Sequence, residues 1–396
     1  MMAMPEPEGG WASLWRLDPQ VDFLNHGSFG ACPTHVLEHQ AVLRDRLERQ
    51  PVEFLARQLP RLLDEARQAL AGYLGCSAED LVFVRNATAG VNAVLRSLPL
   101  APDDELVVTD HAYLACRNAL DFAADRAGAR VVVAHIPFAL ESADQVVGAI
   151  TSSVSLRTRL VMIDHVTSST ALRFPVEQII EALGDIEVLI DGAHAPGMLE
   201  LNLKELRPTY YAGSCHKWLC APKGSGFLYV RRDRQALIRP PSISHGATRP
   251  GNQTRFQAEF DWTGTDDPTS ILSVAEAIRF IGTLLPGGWP ELMVRNRAMA
   301  LQARRRLCAV LSIPLPCPDE LVGSMAAIPL PGAASATRDS ALETDPLQQE
   351  LWERHRIEVP IDAGSIPSMR LLRLSAQLYN RPEQYERLAA ALQELL

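Results

Sequence analysis

No uninterrupted apolar run in this chain approaches the ~20 residues that a membrane-spanning helix needs. No block of Lys or Arg offsets the net charge of −9, which argues against a nucleic-acid-binding surface. Cysteine is scarce and scattered: seven residues, at 32, 76, 116, 215, 220, 308 and 317, an odd number with no Cys-x-x-Cys. Cys215 and Cys220 flank His216, yet no second ligand pair stands nearby at zinc spacing. Free thiols in a reducing cytoplasm are the expectation. The opening Met1-Met2-Ala3-Met4-Pro5-Glu6-Pro7-Glu8 is acidic and has no apolar core, so it does not read as a signal peptide. Internal repeats and extended low-complexity segments are missing too. Gly224-Ser225-Gly226 lacks the Walker spacing and is not a P-loop.

What is present is ordinary globular material: 396 residues, 47% hydrophobic and 21% charged. That length exceeds what one core serves, so two domains are expected. Residues 1–20 read as an arm, 21–270 as a large domain and 271–396 as a smaller α+β domain. From residue 80 a βα rhythm begins, with strands expected at 81–84, 105–109, 130–135, 159–164, 186–191, 208–213 and 225–231. Several are continuously apolar, as strands covered on both faces are. Helical segments at 88–98, 113–127 and 175–183 fall between them. This predicts an α/β fold: a seven-stranded, mostly parallel sheet sandwiched by helices, with its ligand beyond the strands' carboxyl ends.

Around that unit, residues 34–74 read as two helices broken at Pro51 and stopped at Gly75. Residues 21–33, with Gly27, Gly30 and Pro33, read as a shaped loop rather than a helix. Residues 240–270 read as a long functional loop, 271–310 as helical and Pro331–Asp345 as a surface segment. The end predicts strands at 321–330, 356–360 and 368–375, and helices near 345–355 and 382–395.

Four strand ends carry the chemistry. Arg85-Asn86-Ala87-Thr88 opens a helix directly after a strand; free N–H groups and the helix dipole suit an anion there, and Thr88 adds a hydroxyl, though an ordinary N-cap reads the same way. Asp110-His111-Ala112-Tyr113 offers His111 or Tyr113 to a flat ligand, or merely an aromatic at a helix entry. Asp191 closes the run Val188-Leu189-Ile190 and needs a partner, either a structural cation or a pyridinium N–H. His194 suits a phenolate-like oxygen, or a capped place in the core. In Ser214-Cys215-His216-Lys217-Trp218, Ser214 and His216 suit a phosphate. A desolvated Lys217 provides the neutral amine that condenses with an aldehyde. A surface lysine on a turn is the plain alternative for Lys217.

The order of these groups along the chain decides between the alternatives. Phe23-Leu24-Asn25-His26-Gly27-Ser28-Phe29-Gly30, Asp191-Gly192-Ala193-His194-Ala195-Pro196-Gly197, Tyr211-Ala212-Gly213-Ser214-Cys215-His216-Lys217-Trp218 and Leu372-Arg373-Leu374-Ser375-Ala376 together resemble the class V aminotransferases. These are pyridoxal 5′-phosphate enzymes of fold type I, and the likeness is greatest to their isopenicillin N epimerase-like branch. The resemblance implies that Lys217 carries the cofactor as a Schiff base, that Asp191 pairs the pyridine nitrogen and His194 the ring hydroxyl, and that Tyr113 stacks on the ring. It assigns the phosphate to Ala87, Thr88, Ser214 and His216, joined by Thr265 of Gly264-Thr265 from a second subunit, and so implies a homodimer with shared sites. Arg373 would clamp the substrate carboxylate, and Asn25 would approach the substrate. For a proton donor on the face opposite Lys217, the loop offers Asn25 and His26, of which His26 has the more suitable pKa near neutrality but also reads as a structural histidine. No cysteine follows Cys317, so a persulfide mechanism is not expected. The reaction implied is epimerisation at Cα of an α-amino acid by a cytoplasmic enzyme. The alternatives are a C–S β-lyase on a cysteine conjugate or sulfoxide, then an aminotransferase or oxidative decarboxylase. A degenerate sugar- or anion-binding scaffold would have no need of Lys217, Asp191 and Thr88 together. Side-chain recognition is expected from loops 240–265 and 361–370.

Overall fold

In the run Leu106-Val107-Val108 and in Leu160-Val161-Met162-Ile163, no side chain is more than 2% exposed. Alternate residues must therefore be covered from opposite sides. A computed structural model describes residues 6–248, 253–332, 344–363 and 369–396 and shows both covers. Leu106, Val108, Leu160, Met162 and Leu189 pack with Val91, Val94 and Leu120 of the helices Ala87–Ser97 and Leu114–Ala127. Val107, Val161, Ile163, Val188 and Ile190 face Ile179 and Leu70, from the helices Val176–Leu183 and Leu59–Leu74.

The strands run β1 Asp22–Phe23, β2 Leu81–Val84, β3 Glu105–Thr109, β4 Arg130–Ala134, β5 Thr158–Asp164, β6 Glu187–Gly192, β7 Tyr210–Ser214 and β8 Gly226–Val230. β2 to β8 form one seven-stranded sheet in the order β2-β8-β7-β6-β5-β3-β4, in which only β8 pairs antiparallel, with β2 and β7. The expected parallel sandwich is therefore what the chain builds. The carboxyl ends of β2, β3, β5, β6 and β7 open on the same edge.

Strands β9 Met325–Leu330, β11 Ile361–Ala363 and β12 Arg370–Ser375 form a small antiparallel sheet ordered β11-β12-β9, packed on the helix Gly288–Val310. The chain's two ends meet. β1 pairs in parallel with β10 Ile357–Glu358, and the Ser375 N–H donates to Leu24 O at 2.8 Å. The helices Thr34–Arg49 and Leu59–Leu74 are separated by the single turn Glu53–Gln58 after Pro51, and Gly75 ends the second at φ 63°.

Two segments differ from expectation. The 21–33 loop contains one helical turn, His26–Phe29, closed by Gly30. The 240–270 stretch contains the helix Arg255–Asp261, started where the Thr254 hydroxyl accepts the Gln257 N–H. Its Ser, Thr, Gly and Pro content hid a capped, mostly buried short helix, since such residues also serve as helix starts. Parts of the expected loops, at 249–252 and 364–368, and most of Pro331–Asp345, at 333–343, lie outside the described residues.

Candidate active site

Where the parallel strands end, a cavity of about 210 Å³ is lined by Ala87, Thr88, Tyr113, Asp191, His194, Ser214, His216 and Lys217, together with Ser28, Phe29, Asn86, Asp164, Ala193 and Ser168. Eight of the residues marked in the sequence thus face one space. Each strand contributes at its last residue or in the turn that follows, because only there can the chain leave a covered sheet and expose a polar group.

The helix Ala87–Ser97 begins at the cavity. The Asn86 side chain accepts the Ala89 N–H at 2.9 Å and Ser214 Oγ accepts the Ala87 N–H at 3.3 Å. That leaves the Thr88 N–H of the first turn without a partner among the described residues, and with the helix dipole it favours an anion. His216 donates Nδ1–H to Ser225 O at 3.1 Å. Its other ring nitrogen therefore becomes a donor only when the ring is charged, a state that burial disfavours until an anion arrives.

Lys217 is held by its backbone. Gly30, at φ 67°, lies where a Cβ would fall 2.0 Å from His216 O and 2.9 Å from Lys217 Cα. Gly197, at φ 91°, would collide with the Trp218 carbonyl at 2.3 Å. Any side chain at either position would displace the lysine, which explains the glycines of both motifs. The His26 ring donates Nε2–H to Lys217 O at 3.1 Å and takes the Tyr379 hydroxyl on Nδ1 at 2.8 Å. Lys217 Nζ lies 3.1 Å from His194 Nε2. Burial lowers the amine's pKa to about 8, although Asp191 opposes the shift. A lysine so placed is partly neutral near physiological pH.

Two carboxylates stand side by side, Asp164 on β5 and Asp191 on β6, in register. Asp191 accepts the Ala193 N–H on Oδ1 at 2.9 Å and the Cys116 thiol on Oδ2 at 3.0 Å. Burial and the neighbouring Asp191 charge push Asp164 well above the usual carboxylate range. Asp164 was absent from the sequence-marked set, although it closes an apolar strand just as Asp191 does. The same rule, applied to β5, finds it. Cys116, one turn into a helix, carried no signal of its own.

Arg373, on β12, is buried. It donates from Nη1 to Ser168 O at 2.7 Å and from Nη2 to Ser28 Oγ at 2.8 Å and Asn25 Oδ1 at 3.4 Å, while its Nε has no partner among the described residues. Arg373 itself does not line the cavity, but it bonds Ser28 and Ser168, which do, so it lies directly behind that wall. Asn25 does not line the cavity. Its amide donates to Glu358 and its oxygen accepts from Ser28 and Arg373, so it supports the arginine. Two expectations change. His26 is wholly buried behind Lys217, and desolvation lowers its pKa to about 3; it neither reaches the cavity nor carries a proton to donate there. His111 is likewise turned inward, to Thr170 and Ile136 O, which leaves Tyr113 as the aromatic wall. Thr265 is exposed and lies outside its own chain's cavity.

The family model for aminotransferase class V matches residues 47–345. The chain belongs to that family. Among class V relatives, the isopenicillin N epimerase of Amycolatopsis lactamdurans is 38% identical, with 96% of each chain covered. A probable chloroplastic L-cysteine desulfhydrase of Arabidopsis thaliana is 28% identical over 96% of this chain and 84% of its own. In fold, the chain matches a variant of C-DES with glycine covalently linked to its PLP cofactor, at a TM-score of 0.76 and 22% identity over 95% of this chain and 97% of that one. The likeness of fold agrees with the fold type I expectation. No helix among the described residues is long and apolar enough to cross a membrane.

Proposed function

We propose that this chain is a pyridoxal 5′-phosphate-dependent epimerase acting at Cα of an α-amino acid. The observation that carries the reading is Lys217, an amine buried at a strand end, shifted toward neutrality and facing His194 and Asp191. The donor set fits the cofactor: the helix start with Thr88, Ser214 and His216 suits its phosphate, the Lys217 amine its aldehyde and the Asp191 carboxylate its ring nitrogen. When bound, the cofactor supplies an aldehyde for amines and a protonated ring that draws the electron pair released at Cα.

The chain's own residues do the rest. Asp191, its orientation fixed by Ala193 N–H and Cys116, would hold the ring nitrogen's proton. Tyr113, in the cavity wall, would cover the face of the ring. Arg373 grips the substrate carboxylate as a fork, which places Cα next to Lys217. Lys217 Nζ removes the Cα proton on its own face and holds it. Near-full-length kinship to an isopenicillin N epimerase supports epimerisation. β-Elimination from a cysteine conjugate is a second reading. It is favoured by the desulfhydrase relative and by the withdrawal of His26, the residue marked for proton delivery on the opposite face.

The proposal includes a homodimer. Gly264 and Thr265 are exposed, and an apolar groove of about 470 Å³ lined by Val52, Leu55, Leu59, Leu63 and Trp262 lies beside them, as a surface covered by a second subunit would. Seven unpaired thiols support a cytoplasmic setting.

Proton NMR of the enzyme with L-amino acids and an S-substituted L-cysteine in deuterated water tests the reaction. The D-epimer bearing deuterium at Cα, without pyruvate, is expected. Pyruvate and ammonia released only from the cysteine conjugate would replace the epimerase with the lyase. The purified protein should be yellow, and borohydride should fix the cofactor on Lys217; an adduct on Lys223 would overturn the assignment.

A further inference from the structure

Trp218 follows Lys217 directly and is fully buried. Its carbonyl is pressed by Gly197, and its ring lies 4.8 Å from that of His26. The indole Nε1 is 3.4 Å from His194 Nδ1. An indole N–H can only donate. Nδ1 of His194 must therefore be the bare, accepting nitrogen, and the proton of the neutral ring must sit on Nε2, which faces Lys217 Nζ at 3.1 Å. The ring has every reason to stay neutral, since it is desolvated by burial and lies near the cations Lys217 and Arg373.

We infer that Trp218 is a positioning residue that locks His194 in its Nε2–H tautomer, so that the wall beside Lys217 always presents a hydrogen-bond donor. The inference deepens the proposed function by naming what sets the histidine. The lock has two consequences. An N–H aimed at Nζ is compatible with the free amine, which accepts it, and incompatible with an ammonium, which can only donate. The same N–H greets any anionic oxygen brought beside Lys217, such as a phenolate, without a change of ring protonation. A histidine free to change tautomer would instead accept from the ammonium and hold Lys217 in its unreactive form. The indole thus acts on Lys217 through a ring that it touches only on the far side.

The test uses the cofactor-free protein with ¹⁵N-labelled histidine. Long-range ¹H–¹⁵N correlation reads the protonation of each ring nitrogen, and His194→Gln assigns the signals among the ten histidines. Wild type is expected to show His194 protonated on Nε2 and bare on Nδ1 from pH 6 to 9. Trp218→Phe is expected to populate the Nδ1–H form and to raise the pH midpoint for acylation of Lys217 by about one unit, roughly a tenfold loss of reactive amine at fixed pH. A wild-type ring protonated on Nδ1 would overturn the inference, whether or not the variant folds. So would a folded Trp218→Phe with tautomer and midpoint both unchanged. If that variant fails to fold, benzothienylalanine at position 218, isosteric but without the N–H, gives the same comparison. Because the readouts need no cofactor, failure here is distinct from failure of the Lys217 adduct test.

Discussion

Replacing Arg373 with Lys keeps a cation behind the wall of the cavity and removes the fork. The guanidinium already spends Nη1 on Ser168 O and Nη2 on Ser28 and Asn25, which fixes its plane, while Nε is left without a partner among the described residues. Burial lowers its pKa to about 10, so it remains charged at neutral pH. A substrate carboxylate that displaces Ser28 or Asn25 from Nη2 would receive two parallel charge-assisted hydrogen bonds from the arginine and one from a lysine. Losing one such bond costs about 1.5–3 kcal/mol, which corresponds to a rise in KM of roughly 10- to 150-fold. The contact forms before and during reaction alike, so kcat should change far less than KM. Initial rates across substrate concentration give both numbers, and absorbance titration with the cofactor gives the control, which should match wild type. An unchanged KM, or a loss of cofactor binding equal to the loss of substrate binding, would refute the role given to Arg373.

Three further outcomes are expected. Lys217 in the cofactor-free protein should acylate with a midpoint near pH 8, charged below and reactive above; at pH 7 this gives roughly 300 times the free amine of an ordinary lysine, and a midpoint above 10 would contradict the buried placement. Cys116→Ala, which strips one donor from Asp191, should lower stability to urea by about 1–3 kcal/mol while Cys116→Ser retains most of it; equal losses would mean that the thiol bond contributes nothing. Thr265→Ala should weaken cofactor retention by about 1–3 kcal/mol, as measured by dialysis and absorbance, and a fully active monomer would eliminate sharing of the site between subunits.

The sheet was legible because its strands are long apolar runs with few other places to go. Val188-Leu189-Ile190 can only be a covered strand, and a carboxylate at its end can only sit in a site or a salt bridge. The helix Arg255–Asp261 was not legible, since its capping Thr254 looks the same in a loop. His26 misled for a related reason. A histidine in a glycine-rich loop signals exposure, but Tyr379, 353 residues away in the chain, covers it. The surroundings of Arg373 were equally hidden, because Ser28 and Ser168 meet it only after folding. Local pattern reveals which groups stand at a strand end, whereas the depth of a side chain is a property of distant segments.

The meeting of the chain's two ends sets an order of assembly. Every residue around the cofactor space from Asn86 to Lys217 belongs to the central sheet and its turns. The clasp for the substrate carboxylate joins Asn25 and Ser28 to Arg373, and the seat beneath Lys217 joins His26 to Tyr379. Contacts so far apart in sequence close late, because loop entropy must be overcome first. The turns at the carboxyl ends of the central sheet thus draw on neighbouring strands, whereas the surroundings of Arg373 and of the Lys217 backbone exist only once the two ends have met.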